Sequence, residues 1–297
     1  MSVDFSKLTK PNIIEEVDFE SLLSERKEDL IAKWDDETDQ DAVRKILNRE
    51  SEPLTKFLQE SAYRETVLRN RINQAALSVL LAFAEKTDLD AVVANYGMTR
   101  LLISAATTDS EAVYESDDAL RLRASLVFDS LSVAGPTSAY EYHALSSDGR
   151  VADAKASSPS PAVAVVTILQ NDTSNGEATT ELLTIVENYL SDENRRPVAD
   201  RLTVQSVTAV EFELNAAIYT NNVPEADTLI TNATAAVQAY FDESARIGRS
   251  IYLSKIFNLL HVSGVEHVEI TSPLSDVIIN DEQVAYCTQT TIVAGES

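Results

Sequence analysis

The strongest constraint on the fold is the stretch of residues 54–95, which contains neither glycine nor proline. Apolar side chains recur through it at the three- and four-residue spacing that places them on one face of a helix. We therefore predict one helix over residues 54–84, roughly 45 Å long at about 1.5 Å per residue. Pro53 either kinks this helix or begins it. The apolar positions are Leu54, Phe57, Leu58, Ala62, Val67, Leu68, Ile72, Ala75, Ala76, Val79, Leu80 and Phe83.

The apolar face of this helix is too long to be covered by the one short helix that the sequence predicts before it. It should pack on further helices, either in a bundle within the chain or in a bundle shared with partner chains. The residues alone leave these two alternatives open. Trp34, the only tryptophan, is more often a core residue than a binding residue, although interfaces also favour tryptophan. The candidate interface residues are Trp34, Leu54, Phe57, Leu68, Ile72, Val79 and Phe83.

The chain changes from a helical to a strand-rich pattern near residue 150. Gly135 and Pro136 separate two short helices, and Ser147-Asp148-Gly149 predicts a turn before alternating apolar and polar residues begin. The predicted order is β-β-α-β over residues 151–205 and β-α-α-β-β over residues 207–293. We predict an α+β protein with an N-terminal helical bundle region (1–98), a central α+β domain (99–205) and a C-terminal α+β domain (206–297). Their small sheets should be mixed or antiparallel.

The charge balance is strongly acidic, with 48 Asp and Glu against 24 Lys and Arg and a formal net charge of −24. A direct nucleic-acid binder normally presents a basic face, and an anionic membrane also attracts basic residues, so we expect neither partner. A partner with a basic face is the corresponding hypothesis. The single cysteine, Cys287, fits folding in a reducing cytoplasm. We expect no signal peptide and no membrane helix, because no apolar run is long enough.

The histidines and carboxylates do not follow a catalytic pattern. His143, His261 and His267 lack the HExxH spacing of a zinc site, and no nucleophile motif accompanies His143. The acidic run at residues 35–41 lacks the spacing of an EF-hand. Some pair of the many carboxylates could in principle cleave a sugar bond, but their abundance makes this weak evidence. We therefore predict no catalytic, metal-binding or cofactor-binding residue, and a protein that is not an enzyme.

Several long, irregular runs resemble the baseplate protein J family of contractile-tailed phages. The first is SVAGPTSAYEYHA at residues 132–144, followed by SDGRVADA at residues 147–154. Three more runs agree in the same order: ESEPLTKFLQESAYRE from Glu50, ESDDALRLR from Glu115, and RPVADRLTVQS from Arg196. Together they span most of the chain. None is a catalytic motif, so the resemblance implies an assembly role.

The resemblance implies a structural subunit of the baseplate wedge, located in the virion tail and assembled in the bacterial cytoplasm. Two copies would associate with a subunit like baseplate protein I, and six wedges would close a ring around the tail tube. The resemblance also favours the shared helical bundle over the internal one. The C-terminal units would link copies around the ring and rearrange when the tail contracts. The alternatives are the same component of a tailocin-like particle, a tail-associated hydrolase, or an assembly chaperone absent from the finished particle.

Overall fold

The structure, a computed structural model, describes residues 5, 8–108, 110–132, 135–193, 195–197, 199–220 and 226–295. The chain divides into two compact units, Met1–Thr99 and Arg100–Ser297. In the described part of the chain, no helix is both long enough and apolar enough to span a membrane.

Four helices build the first unit: α1 (Phe19–Ile31), α2 (Glu37–Leu47), α3 (Pro53–Ser78) and α4 (Lys86–Ala94). Carboxylate caps begin the first two, because Asp18 Oδ2 accepts from Ser21 N at 2.8 Å and Asp36 Oδ1 accepts from Thr38 N at 2.7 Å. Pro53 begins α3, which resolves the alternative left open by the sequence. The core of the first three helices consists of Leu22, Leu23, Ile31, Leu47, Leu58 and Ala62.

The long helix is shorter than predicted, because α3 ends at Ser78 and residues 79–83 form a turn instead of continuing to residue 84. Neither glycine nor proline stops it. The turn is closed by a hydrogen bond from Ala84 N to Leu80 O at 2.8 Å. It leads into a segment in which Ala84, Leu89 and Val93 are fully buried. Tertiary burial therefore overrides the helix-favouring local sequence at this point.

The first half of the second unit packs helices on a mixed sheet. A two-stranded ribbon, β1 (Leu102–Ser104) with β2 (Val113–Tyr114), precedes the helices α5 (Asp117–Ser125) and α6 (Thr137–Leu145). Strands β3 (Val151–Ser157), β4 (Val163–Gln170) and β5 (Arg201–Ser206), with α7 (Thr180–Leu190) between the last two, complete it. β3 is antiparallel and β5 parallel to the central β4. The core includes Tyr140, Val166, Ile168, Leu182, Val186 and Leu190.

The second half of this unit also has a three-stranded mixed sheet. Its elements are β6 (Thr208–Thr220), α8 (Ala226–Ser244), α9 (Leu253–Leu260), β7 (Val265–Ser272) and β8 (Gln283–Ala294). The long β6 is central, antiparallel to β7 and parallel to β8. The core includes Leu214, Ile218, Val237, Phe241, Ile256 and Leu260. The prediction of an α+β fold, helical at the N-terminus with small mixed sheets behind, is confirmed.

The two halves of the second unit are joined by an apolar cluster and by polar contacts. Leu169 from the first half packs with Val207, Ile247 and Val284, all buried. Asp153 Oδ2 on β3 accepts a hydrogen bond from Ile247 N at 3.0 Å. These contacts cross the boundary that the sequence suggested near residue 206. The division into 1–98, 99–205 and 206–297 stays a prediction.

Candidate assembly surface

The candidate assembly surface is an apolar face of α3, in the first unit, that α1 does not cover. At 26 residues, α3 is about 39 Å long, longer than the 13-residue α1 against which it packs. Leu58 and Ala62 are buried against α1, and Thr55 Oγ1 donates to Leu47 O at 3.2 Å. The apolar residues of α3 therefore belong to more than one face, and α1 covers only the face that carries Leu58 and Ala62.

Polar contacts also hold α1 against the side of α3 that carries Leu58 and Ala62. Arg26 on α1 donates from Nη1 to Ser61 Oγ at 2.8 Å and from Nε to Glu65 Oε2 at 3.0 Å. Arg69 Nε donates to Glu65 Oε1 at 2.9 Å. The hydrogen bonds from Arg26, followed by those from Arg69, lower the pKa of Glu65. Glu65 is thus held as a carboxylate between two guanidinium groups, which fixes the register of α1 on α3.

The N-terminal segment also binds to this side of α3. Asn73 Nδ2 donates to Glu15 O at 2.8 Å, and its Oδ1 accepts from Glu15 N at 3.2 Å. Arg69 Nη1 lies 3.2 Å from Glu15 Oε2. A paired side-chain and backbone contact of this kind holds the segment in one register, so it covers the polar flank of α3 and leaves the apolar face open.

Five of the predicted interface residues lie on the open face or at its end, with exposed fractions from 39% to 69%: Leu54, Phe57, Leu68, Ile72 and Val79. Leu54 with Phe57, and Leu68 with Ile72 and the exposed Ala75, recur at the three- and four-residue spacing of a helix-pairing seam. Val79 is the C-cap of α3. Two candidates differ, because Trp34, in the turn after α1, and Phe83, in the turn after α3, are half-buried.

The single apolar stripe predicted for α3 is in fact divided among several faces, a distinction that the sequence reasoning missed. Phe57, Leu68 and Ile72 follow one three-and-four spacing, whereas Leu58 and Ala62 follow another, about 100° further round the helix. Exposed Tyr63 and Val67, on a third side of α3, were also missed as a separate surface. The spacing was present in the sequence, but which face is covered was not.

The runs that carry the family resemblance in the second unit have structural roles. Asp148 Oδ1 accepts from Arg150 N at 2.9 Å, and Arg150 Nη2 lies 3.3 Å from Glu181 Oε1 on α7. The predicted turn at residues 147–149 is confirmed. A Cβ atom on Gly149 would lie 2.5 Å from Leu102 O, so only glycine fits between this turn and β1. Tyr140 Oη donates to Asp200 Oδ2 at 2.8 Å, tying α6 to the segment before β5.

The histidines are placed as packing groups. His143 lies edge-on to Tyr142 with ring centroids 5.4 Å apart, and burial, followed by the charge of Arg195, lowers its pKa. The rings of His267 and Tyr219 lie 5.5 Å apart, and His261 is the C-cap of α9. Among the described residues, no group of three His, Cys, Asp or Glu side chains is positioned to hold a metal ion.

A cleft of about 410 Å³ lies between the two halves of the second unit. Phe212, Phe241, Asp242 and Cys287 line it, together with the loop of residues 173–176. The residues that the structure describes along this cleft include no histidine, lysine or arginine. Cys287 therefore has no basic neighbour there that would activate it as a nucleophile.

Comparisons with known proteins agree with these structural roles. The family profile of the Baseplate J-like N-terminal domain matches residues 50–107, that of the Baseplate J-like central domain residues 132–206, and that of the Baseplate J-like protein C-terminal domain residues 210–293. Baseplate protein J of Escherichia phage P2 is 46% identical over 299 residues, covering 99% of this chain and 98% of that protein.

Identity at this level over nearly the whole length extends the resemblance from single motifs to the complete chain. Such a protein is a structural component of the virion, located in the tail baseplate and in contact with other baseplate proteins, and it is not an enzyme. The chain belongs to the baseplate J family of phage tail proteins.

Proposed function

We propose that the chain is a wedge subunit of a contractile-tail baseplate, with two copies joining one subunit like baseplate protein I. Six such wedges would close a ring around the tail tube after assembly in the host cytoplasm. The observation that carries this proposal is the open apolar face of α3. A face with this much exposed aliphatic and aromatic area is rarely left in contact with water in a finished assembly.

The chemistry of the open face favours helices as its partners. Leu54, Phe57, Leu68 and Ile72 lie along one side of the 26-residue helix, and the small, exposed Ala75 follows Ile72 by three residues. Apolar residues at this spacing form a ridge against which another helix can pack. Two copies of α3 and a helix of the second protein would together bury a face that one copy leaves exposed.

The acidic charge of the chain supports a basic partner. At a formal net charge of −24, two copies brought together repel one another unless a third component neutralises part of the charge. A protein I-like subunit with a basic surface would supply this neutralisation and also raise the association rate at low salt. We expect the association rate of the mixed complex to fall as the salt concentration rises.

The C-terminal half would link copies around the ring and rearrange during contraction. The two halves of the second unit are joined by the Leu169, Val207, Ile247 and Val284 cluster and by the Asp153 to Ile247 hydrogen bond. A unit joined in this way is suited to rotate as a rigid body between two packed arrangements.

The test is native mass spectrometry of the chain alone and co-expressed with the neighbouring baseplate protein I. We expect a mixed complex that contains two copies of this chain. The double variant Leu68→Ser with Ile72→Ser should lose that complex while remaining folded. The matched control is Tyr63→Ser, because Tyr63 is as exposed as Leu68, at 63% against 61%, but lies about 140° away around the helix.

Two outcomes would contradict the proposal. A chain that stays monomeric in the presence of protein I would contradict the proposed wedge of two copies with one protein I-like subunit. Equal loss of the complex in the Tyr63→Ser control would show that the open face of α3 is not the specific contact. Absence of the chain from purified particles would instead support an assembly chaperone.

A further inference from the structure

The edge strand β8 differs from every other open edge in the two three-stranded sheets. It runs over Gln283–Ala294 at one side of the sheet, with β6 as its only neighbour among the described strands. Its sequence, QVAYCTQTTIVA, contains no charged residue, no proline and no glycine. Open edges of this length normally carry a charge or a proline that discourages pairing with another chain.

The other three edge strands of these sheets do carry such charges. β3 has Asp153 and Lys155, β5 has Arg201, and β7 has Glu266 and Glu269. In a chain in which 24% of the residues are charged, a charge-free strand of 12 residues stands out against its neighbours. The contrast indicates that β8 is the edge at which pairing is permitted.

The free part of this edge is its C-terminal half. At the start of β8, Gly248 N donates to Gln283 O at 3.0 Å, and Val284 and Ala285 are buried. A bulge at Thr288 then interrupts the register with β6. Beyond it, residues 289–294 are exposed or half-buried, and no described backbone group outside β6 pairs with them.

We propose that residues 289–294 pair antiparallel with the same residues of a second copy of this chain. The two three-stranded sheets would then join into one six-stranded sheet about a two-fold axis. This inference rests on the proposed self-association and names the strand that makes it. Antiparallel pairing is required because it closes after two copies, whereas a translated parallel pairing would leave another edge open.

Charge is the reason for naming a second copy as the partner. Each copy brings a formal net charge of −24, so most contacts between copies would place carboxylates together. Pairing residues 289–294 with themselves places only Gln, Thr, Ile, Val and Ala opposite one another. Thr–Thr and β-branched pairs across strands are favourable, whereas like charges directly opposite are not. A basic foreign partner would instead be expected to meet an acidic edge.

The pairing can be located by single-cysteine crosslinking. In this pairing the helices of both copies lie on the same face of the joined sheet. The two-fold axis then passes between one residue and its equivalent in the second copy, so these two residues lie directly opposite each other. Its two Cα atoms would be about 4.5–5.5 Å apart, within the range of a disulfide. Each of positions 289–294 is therefore changed to cysteine in a Cys287→Ser background. Oxidised free protein and purified particles are then run on a non-reducing gel.

We expect a species of twice 32.5 kDa at one of these positions, with little at the residues beside it. In parallel, Thr291→Lys should raise the dissociation constant of the dimer at least tenfold, because it places two like charges between the paired β8 strands. Thr271→Lys, an exposed threonine on the opposite edge of the same sheet, is the matched control and should leave association unchanged.

The outcomes separate this inference from the proposed function. If the cysteine variants enter particles but none crosslinks, in particles or free, the pairing of β8 is wrong while the baseplate role stands. A crosslink to a different baseplate protein would replace the second copy with that protein. Variants and unmodified chain both missing from particles would count against the proposed function itself.

Discussion

A buried ion pair in the second unit, between Arg123 and Glu115, shows how much a single residue contributes to the stability of the fold. Arg123 Nη2 lies 2.5 Å from Glu115 Oε1, and their side chains are only 5% and 6% exposed. Glu115 Oε1 also accepts from Leu101 N at 2.9 Å, so the pair ties α5 to the start of β1. Removing one member of such a pair leaves the other charge buried and deprived of its partner.

We predict that Arg123→Met lowers the free energy of unfolding by about 3 kcal/mol or more, measured by urea denaturation. The control is Arg64→Met, which breaks the exposed pair of Arg64 and Glu60 within α3. That change should cost less than about 0.5 kcal/mol, because exposed helical pairs contribute little. Equal losses in the two variants would show that burial does not set the difference.

Asp153 and Asp148 should give opposite dependences of stability on pH. Burial raises the pKa of Asp153 above its ordinary value of 3.8, against the opposing hydrogen bonds from Ile247 N and Ala154 N. The folded chain then binds the proton of Asp153 more tightly than the unfolded chain does. Asp153 therefore makes the free energy of unfolding fall as pH rises from its pKa in the unfolded chain to its pKa in the folded chain. The charges of Arg246 and Lys155 oppose this rise in the pKa of Asp153. Burial also raises the pKa of Glu141.

Between about pH 4 and about pH 7, we predict that the free energy of unfolding falls less in Asp153→Asn than in the unmodified chain, as measured by urea titrations at each pH. Asp148 is the control. Burial would raise its pKa, but the hydrogen bonds from Arg150 outweigh burial and lower it. Asp148 therefore stabilises the fold above pH 3.8, and the stability is lost as pH falls through its folded pKa. Asp148→Asn should thus cost more at neutral than at acidic pH.

At the scale of elements, the two faces of α3 should respond differently to truncation in the free chain. Leu58 is 8% exposed and packs in the core with α1, so Leu58→Ala should lower the unfolding free energy by about 2–4 kcal/mol. Leu68→Ala, on the open face, should change it by less than about 0.5 kcal/mol. Thermal and urea unfolding of the isolated chain would measure both. A large loss at Leu68 would mean that the open face is already covered.

The ends of the elements were predicted less well than their order. α3 was expected to reach residue 84 and stops at Ser78, although its last turn contains good helix formers. Similarly, β1 is limited to Leu102–Ser104 and pairs with only two residues of β2. In both places the outcome depends on which distant residues become buried, and local propensity does not contain that information.

At the scale of the molecule, residues 100–297 should fold as one cooperative body. The two sheets of this unit share the Leu169, Val207, Ile247 and Val284 cluster. We predict that a fragment of residues 100–297 unfolds in a single urea transition followed both by tyrosine fluorescence and by circular dichroism. A fragment beginning at Val207 loses the contacts to Leu169 and Asp153 and should be less stable. Two separated transitions in the longer fragment would support an independent domain boundary near residue 206.

Local features of the chain are sufficient to predict the kinds and order of the longer elements, the α+β class and the family. Helical spacing, strand alternation, Pro53 at a helix start and the turn at residues 147–149 are set by neighbours along the chain, and the long motif runs are specific enough to identify relatives. Periodicity therefore placed the apolar residues on α3, but it did not separate the face that α1 covers from the open face.

Which surfaces stay exposed depends on the tertiary structure. It covers Leu58 with α1 and leaves Leu68 exposed, although both belong to the same apolar pattern. It half-buries Trp34 and Phe83, places β8 at a sheet edge, and brings Asp153 against Ile247, 94 residues away. Burial and edge position depend on contacts between distant segments, whereas periodicity reports only which residues share a face.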